Sequence, residues 1–274
     1  MKKREKILIA ICFFSALCKA QGPVGVLPLG IKDLPVDKYS VLDKARYKFS
    51  YTLTCVYDTL EKKTITNDLI LLVGSKYSKM FNNYPPHPEI KSANVSTDES
   101  RGLGATEVYK DLKKKRMLVT TRVYQPYQDV YVYEEELPKQ SWMLTSESKS
   151  IYGYKCLKAT TRYLGRDYEA WYTLEIPISN GPWKLGGLPG MILEAYDTQR
   201  HYVFSCAGIE KMKEKEEIVK YDWHYVDKSR QDLLKLMERF HDDPLAYLSF
   251  AQWGQTRSGR VSSKPLPYNP LERE

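Results

Sequence analysis

The chain has 274 residues, of which 42% are hydrophobic and 22 are tyrosine, and its formal net charge is +8. That length suits one folded domain with extensions, and that apolar content is enough to bury a real core, which excludes a chain too polar to fold. Tyrosine favours a pleated, half-buried surface, so the composition points toward sheet.

The first twenty residues read as an address. Lys2, Lys3, Arg4 and Lys6 precede an apolar run from Ile7 to Leu17, and Cys18-Lys19-Ala20 places small residues at −3 and −1 of a cut before Gln21. This is the pattern of a secretory signal peptide, so the mature protein is expected in the periplasm or outside the cell. The run is shorter than the ~20 apolar residues of a spanning helix, so no transmembrane segment is expected in the mature chain. A lipoprotein cut before Cys18 fits less well, because Ser15-Ala16-Leu17 inverts the usual order of large and small residues. Removing residues 1–20 leaves 37 basic against 33 acidic residues, a mild +4, and an exported chain so balanced is not expected to bind nucleic acid.

Residues 21–44 are rich in Gly and Pro without periodicity and read as an extended lead-in. A β-rich domain is expected over 45–254. From Ala45 the chain alternates: Tyr47, Phe49, Tyr51, Leu53 and Cys55 share one face, and Lys48, Ser50, Thr52 and Thr54 share the other. Period-two alternation predicts a strand with one buried side. Strands are expected again over Asp68–Val73 and Ser75–Phe81. Residues 82–104, with Pro85-Pro86-His87-Pro88, read as a long loop. Strand signals follow at 106–110, 116–124, 129–136, 142–145, 154–163 and 168–175. Lys113-Lys114-Lys115-Arg116 falls between two of them as a solvated turn, and Gly165-Arg166-Asp167 supplies turn residues for a hairpin.

The stretch Gly181–Glu194 packs four glycines and two prolines into fourteen residues ahead of a strand-like run, Met191–Tyr196. Its core, Gly187-Leu188-Pro189-Gly190-Met191-Ile192, resembles the signature of the GLPGLI family, exported proteins known from the Bacteroidota, with Met191 in place of the usual Leu. The resemblance extends to Gly153-Tyr154-Lys155-Cys156, Ala170-Trp171-Tyr172, Glu175-Ile176-Pro177-Ile178-Ser179 and the terminal Pro267-Tyr268-Asn269-Pro270-Leu271-Glu272. It implies kinship and carries no agreed activity. Read physically, Pro189 fixes φ at the first central position of a turn, and Gly190 takes the positive φ of a type II turn at the next. Gly186 and Gly187 allow close backbone approach or a bulge. Two readings stay open. In one, the signature is a special turn whose glycines serve geometry alone. In the other it is a presented loop, with Trp171, Tyr172, Trp183, Gly186, Gly187, Leu188, Pro189 and Gly190 forming a binding platform.

After a further strand at His201–Ile209, one helix is marked by Ser229 as cap, Asp232 in the capping-box position, and a stripe of Leu233, Leu236, Met237 and Phe240. Asp242-Asp243-Pro244 ends it, and a second short helix is expected over Leu245–Trp253. Residues 255–274 form a Pro-containing tail, which the terminal family motif implies is docked.

Chemistry-bearing patterns are sparse. There is no Gly-x-Ser-x-Gly and no metal-ligand spacing, and His87, His201, His224 and His241 stand outside any motif. The run Glu134-Glu135-Glu136 alternates faces on a strand and so forms no single acid–base site. No catalytic residue, metal or cofactor is expected. Three cysteines remain after processing: Cys55, Cys156 and Cys206. A Cys156–Cys206 disulfide would staple the base of the signature, against the alternative that all three are buried thiols. The fold expected is mainly β: a single curved antiparallel sheet or half-barrel, similar to the periplasmic lipoprotein-carrier fold, with one or two C-terminal helices. The function expected is that of a non-enzymatic periplasmic binding or accessory protein holding an apolar ligand or partner segment in a concave sheet. The alternative is an envelope interaction module docking through the Gly181–Ile192 loop onto an outer-membrane or other envelope protein.

Overall fold

The computed structural model describes residues 34, 36–82, 105–122, 130–214, 216–248 and 264–274. The expected signal peptide, most of the lead-in, the loop containing His87 and the first part of the tail lie outside the described residues. In chain order the strands are β1 (Tyr39–Lys44), β2 (Tyr47–Asp58), β3 (Lys63–Val73), β4 (Tyr77–Asn82), β5 (Glu107–Asp111), β6 (Arg116–Thr121) and β7 (Val130–Glu136). Then come β8 (Met143–Ile151), β9 (Tyr154–Tyr163), β10 (Arg166–Thr173), β11 (Met191–Asp197), β12 (Tyr202–Lys211), β13 (Glu217–Tyr221) and β14 (Tyr225–Asp227). Helices α1 (Arg230–Asp242) and α2 (Pro244–Leu248) follow.

Twelve strands form one open sheet in the order β14-β7-β6-β5-β4-β3-β2-β12-β11-β10-β9-β8, with β8 and β14 as its edges. Every neighbouring pair is antiparallel except β14–β7, a three-residue parallel pair. The alternation of β2 behaves as its sequence requires: Phe49, Tyr51, Leu53 and Cys55 are buried on one side. Its register is held from both flanks, Leu53 facing Asn67 on β3 and Phe204 on β12.

The sheet is strongly curved. Trp183 packs against Tyr163 of β9, while its neighbour Lys184 pairs with Glu135 of β7. Those strands stand nine places apart in the sheet order, which would be ~43 Å in a flat sheet at ~4.8 Å per strand. Register shifts in β2, β8, β10 and β12 supply bends of the kind such curvature needs. The main core fills the inner face, from Phe49, Leu69 and Met80 through Phe204 to Tyr168.

The outer face is covered locally. Ile70 and Leu72, buried on the side of β3 away from the main core, pack with Ala45 and Ile218 beneath a two-stranded ribbon of β1 and β13. The end of the lead-in, residues 39–44, is a strand that gains its partner from 217–221. Helix α1 begins as expected: the Ser229 hydroxyl accepts from the Asp232 backbone N–H at 3.0 Å, and donates to the Asp232 carboxylate at 2.7 Å. Its apolar stripe packs through Leu233 on Tyr131, on the same face of β7 as the inward Tyr133 and Glu135, with Leu236 and Met237 beside it. Helix α2 is described over Pro244–Leu248, and the rest of the helix expected to Trp253 lies outside the described residues.

Two local expectations are corrected. The β9–β10 turn is Leu164-Gly165, both at positive φ, and Arg166 already belongs to β10. Cys156 on β9 and Cys206 on β12 have two strands between them, ~14 Å across three strand spacings, whereas a disulfide needs Cα atoms within ~7 Å. All three cysteines are buried free thiols.

The candidate site is a buried segment

Between β10 and β11 the chain leaves the sheet, runs through its concave side as residues 174–190, and re-enters at Met191. It is tied at both ends by its own backbone. Met191 N–H donates to the Ile176 carbonyl and Ile192 N–H to the Asn180 carbonyl, each at 3.0 Å, while the Tyr51 hydroxyl donates to the Ile192 carbonyl at 2.6 Å. Trp183, Leu185 and Leu188 are each at most 1% exposed. The Trp183 ring lies 5.7 Å from that of Tyr163 and 6.3 Å from that of Tyr168, both tilted.

The predicted binding residues are therefore mostly core. Trp171 and Tyr172 are buried on opposite faces of β10, as neighbours on a strand must be. Trp171 sits under the Lys149 ammonium, which lies 4.3 Å from its ring centroid. Of the eight residues, only Gly187 and Pro189 are exposed, with Gly186 half-buried. The aromatic groups are not presented: an apolar stretch beside a curved sheet is driven inward by the area it buries.

The glycine roles differ from the expectation too. Gly190 does not take positive φ; Gly187 does, at +82°. Gly190 is required by contact, since a Cβ there would stand 1.9 Å from the Thr173 carbonyl oxygen of β10. Beside Gly186, by contrast, a Cβ would meet nothing closer than 3.9 Å.

The polar groups that hold this segment were invisible as a set in the sequence. Lys110 of β5 is buried and its ammonium donates to Asn180 Oδ1 at 2.9 Å, the Gly181 carbonyl at 3.1 Å and the Leu185 carbonyl at 2.8 Å. Three donors thus meet three neutral acceptors, all on one six-residue stretch. Burial pulls the Lys110 ammonium down to about 7. Asn180 also donates to Ser78 Oγ of β4 at 2.9 Å. Gln140 and Trp142 close the segment from the β8 side, donating to the Lys184 and Gly186 carbonyls at 3.0 and 2.7 Å.

Lys184 is 1% exposed and lies between Glu135 Oε1 at 2.7 Å and Glu272 Oε1 at 2.9 Å. Glu135 points inward while Glu134 pairs with the exposed Arg116 outside, as alternation along β7 demands. The terminal motif docks against the same region. Asn269 and Leu271 are buried, and Arg166 binds both Asp197, at 2.8 Å, and Asn269 Oδ1, at 2.8 Å. One sequence signal was available for Lys184: a lone cation inside an apolar, glycine-rich stretch needs a buried counterion. Its partners come from residues 49 positions before it and 88 after it.

Burial pushes the thiols of Cys55, Cys156 and Cys206 up to about 11, away from the thiolate form. Among the described residues no group of three His, Cys, Asp or Glu side chains could hold a metal ion, and no helix is long and apolar enough to cross a membrane.

A family model described as "N-glycanase peptide, N-terminal domain" matches residues 90–235. Two solved structures of PNGF-II, in the P21 and C2 space groups, are similar to this chain at 18% identity with a TM-score of 0.49. Each match covers 70% of this chain and 32% of that one, so this chain spans about a third of the length of PNGF-II. No curated protein matches.

Proposed function

For this chain, which belongs to the family described as N-glycanase peptide, N-terminal domain, we propose a non-enzymatic role as a binding or accessory protein of the cell envelope that holds an extended protein segment in its curved sheet. One observation carries this reading: the concave face is occupied by two non-strand segments of the chain itself, the turn-rich residues 174–190 and the terminal residues 264–274, gripped through side-chain-specific contacts. A sheet so lined, with Lys110, Glu135 and Arg166 facing the carbonyls, ammonium and amide of those segments, suits polypeptide better than an apolar small molecule. The envelope location rests on the signal-peptide pattern and the GLPGLI-like signature, and an outer-membrane or other envelope protein is the partner class it implies.

Photo-crosslinking in the native envelope tests this. A crosslinker at Met143, 69% exposed on edge strand β8 beside the signature, is compared with one at Leu60, 93% exposed at the tip of the β2–β3 hairpin. One discrete polypeptide adduct from position 143 and none from position 60 is the expected result. A lipid or small-molecule mass retained by the native protein and released on denaturation, with no polypeptide adduct, would overturn the reading in favour of an apolar-ligand carrier.

A further inference from the structure

Residues 264–274 are held much as a bound peptide is held. Asn269 is read at three atoms: Nδ2 donates to the Val56 carbonyl at 2.6 Å, Oδ1 accepts from Arg166 Nη2 at 2.8 Å, and its carbonyl accepts from the Tyr202 hydroxyl at 2.5 Å. Arg166 Nε reaches the Pro270 and Leu271 carbonyls at 3.2 and 3.1 Å, and the Leu271 side chain is buried. The Glu272 carboxylate bridges Lys184 at 2.9 Å and Arg230 Nη1 at 3.2 Å. The Arg273 N–H donates to the Leu164 carbonyl at 3.0 Å.

The two fully buried cations of the cleft each have a carboxylate partner besides the occupant. Arg166 keeps Asp197 at 2.8 Å, and Lys184 keeps Glu135 at 2.7 Å. Vacating it therefore leaves two buried ion pairs and no bare charge, which is what makes emptying such a site tolerable. Fifteen residues separate α2 from Lys264. At ~3.3 Å per residue that length of chain reaches up to ~50 Å, far enough to serve a neighbouring molecule.

We propose that this cleft is a peptide-binding site that takes the Asn269-Pro270-Leu271-Glu272 stretch from a second copy of this chain as well as from its own. The recognised chemistry is an asparagine amide, a proline-fixed turn of backbone, a buried leucine and a carboxylate at fixed spacing. The inference rests on the reading that the inner face holds polypeptide segments. A purified chain that binds this peptide while capturing no envelope polypeptide would separate the two.

The test uses the full chain carrying Asn269→Ala and Glu272→Ala, which weakens its own segment. It is titrated with a fluorescent synthetic peptide of residues 264–274 and followed by anisotropy. Saturable binding is expected, weakened at least tenfold when the peptide itself carries Asn269→Ala, and competed in the wild-type chain by its own terminus. A variant with unchanged circular dichroism and cooperative unfolding that shows no saturable binding overturns the proposal. Should the double variant fail to fold, the wild-type chain with a protease site between residues 255 and 256 is cut and incubated with excess labelled peptide. Label that co-elutes with the body supports the site, and failure of the label to exchange overturns it.

Discussion

Substituting Lys110 by methionine isolates the buried cation that pins the signature segment, and its consequence has a definite dependence on pH. The ammonium faces only neutral acceptors, and burial lowers it to about 7, against ~10.4 for lysine in an unfolded chain. Between those two values the unfolded state holds more protons than the native state, so this group's contribution to stability rises as pH rises from 7 toward 10. Below 7 both states are protonated and the contribution is flat. A full shift of this size corresponds to ~4–5 kcal/mol across the window, at ~1.4 per unit. The three oxygen acceptors favour the ammonium and oppose part of it, which leaves an expected rise of ~1–3 kcal/mol. Urea unfolding of wild type and Lys110→Met at pH 7, 8 and 9 measures the difference. Taking the difference cancels the thiols, whose raised values work in the opposite direction over the same range. The variant should also be less stable at pH 9, by ~2–4 kcal/mol, for the acceptors left unpaired. Parallel pH profiles for the two proteins would refute the reasoning.

Gly190→Ala should prevent folding or cost more than ~3 kcal/mol, because the new Cβ falls 1.9 Å from the Thr173 carbonyl oxygen, whereas Gly186→Ala should stay within ~1 kcal/mol in a thermal melt. Trp183→Ala should cost ~3–5 kcal/mol in chemical denaturation, as for a fully buried aromatic, so loss of any partner by that variant would have to be separated from loss of fold. Glu272→Gln leaves the buried Lys184 with Glu135 alone and takes the nearer carboxylate from the half-buried Arg230, and should cost ~1–2 kcal/mol, while Glu134→Gln, in an exposed pair with Arg116, should cost under ~1. All three cysteines should resist a thiol reagent in the native protein and react in denaturant, which stopped-flow absorbance at pH 8 would read directly.

Local pattern determined a great deal here. The alternation of β2 places Phe49, Tyr51, Leu53 and Cys55 inside, and β9 runs over the residues expected of it, Tyr154–Tyr163. Ser229 caps α1 through the atoms its type predicts. The Lys113–Lys115 run lies in the turn between β5 and β6, where Asp111 accepts from the Lys113 and Lys114 backbone N–H groups. Each of these follows from neighbours within a few residues, where spacing and side-chain type suffice. The mainly β class, one open sheet and a late helix are legible for the same reason.

What the tertiary structure alone decided is the direction in which the signature faces. A glycine- and proline-rich stretch with a tryptophan and leucines reads equally well as a presented loop or as a buried one. The choice depends on whether a curved surface exists to receive it. That surface is assembled by strands as remote as β5, β7, β9 and β10, and its anchors Lys110, Glu135, Arg166 and Glu272 carry no mark in sequence that they meet. Burying a cation is favourable only where distant acceptors converge on it, and convergence is a property of the closed fold and not of any window along the chain.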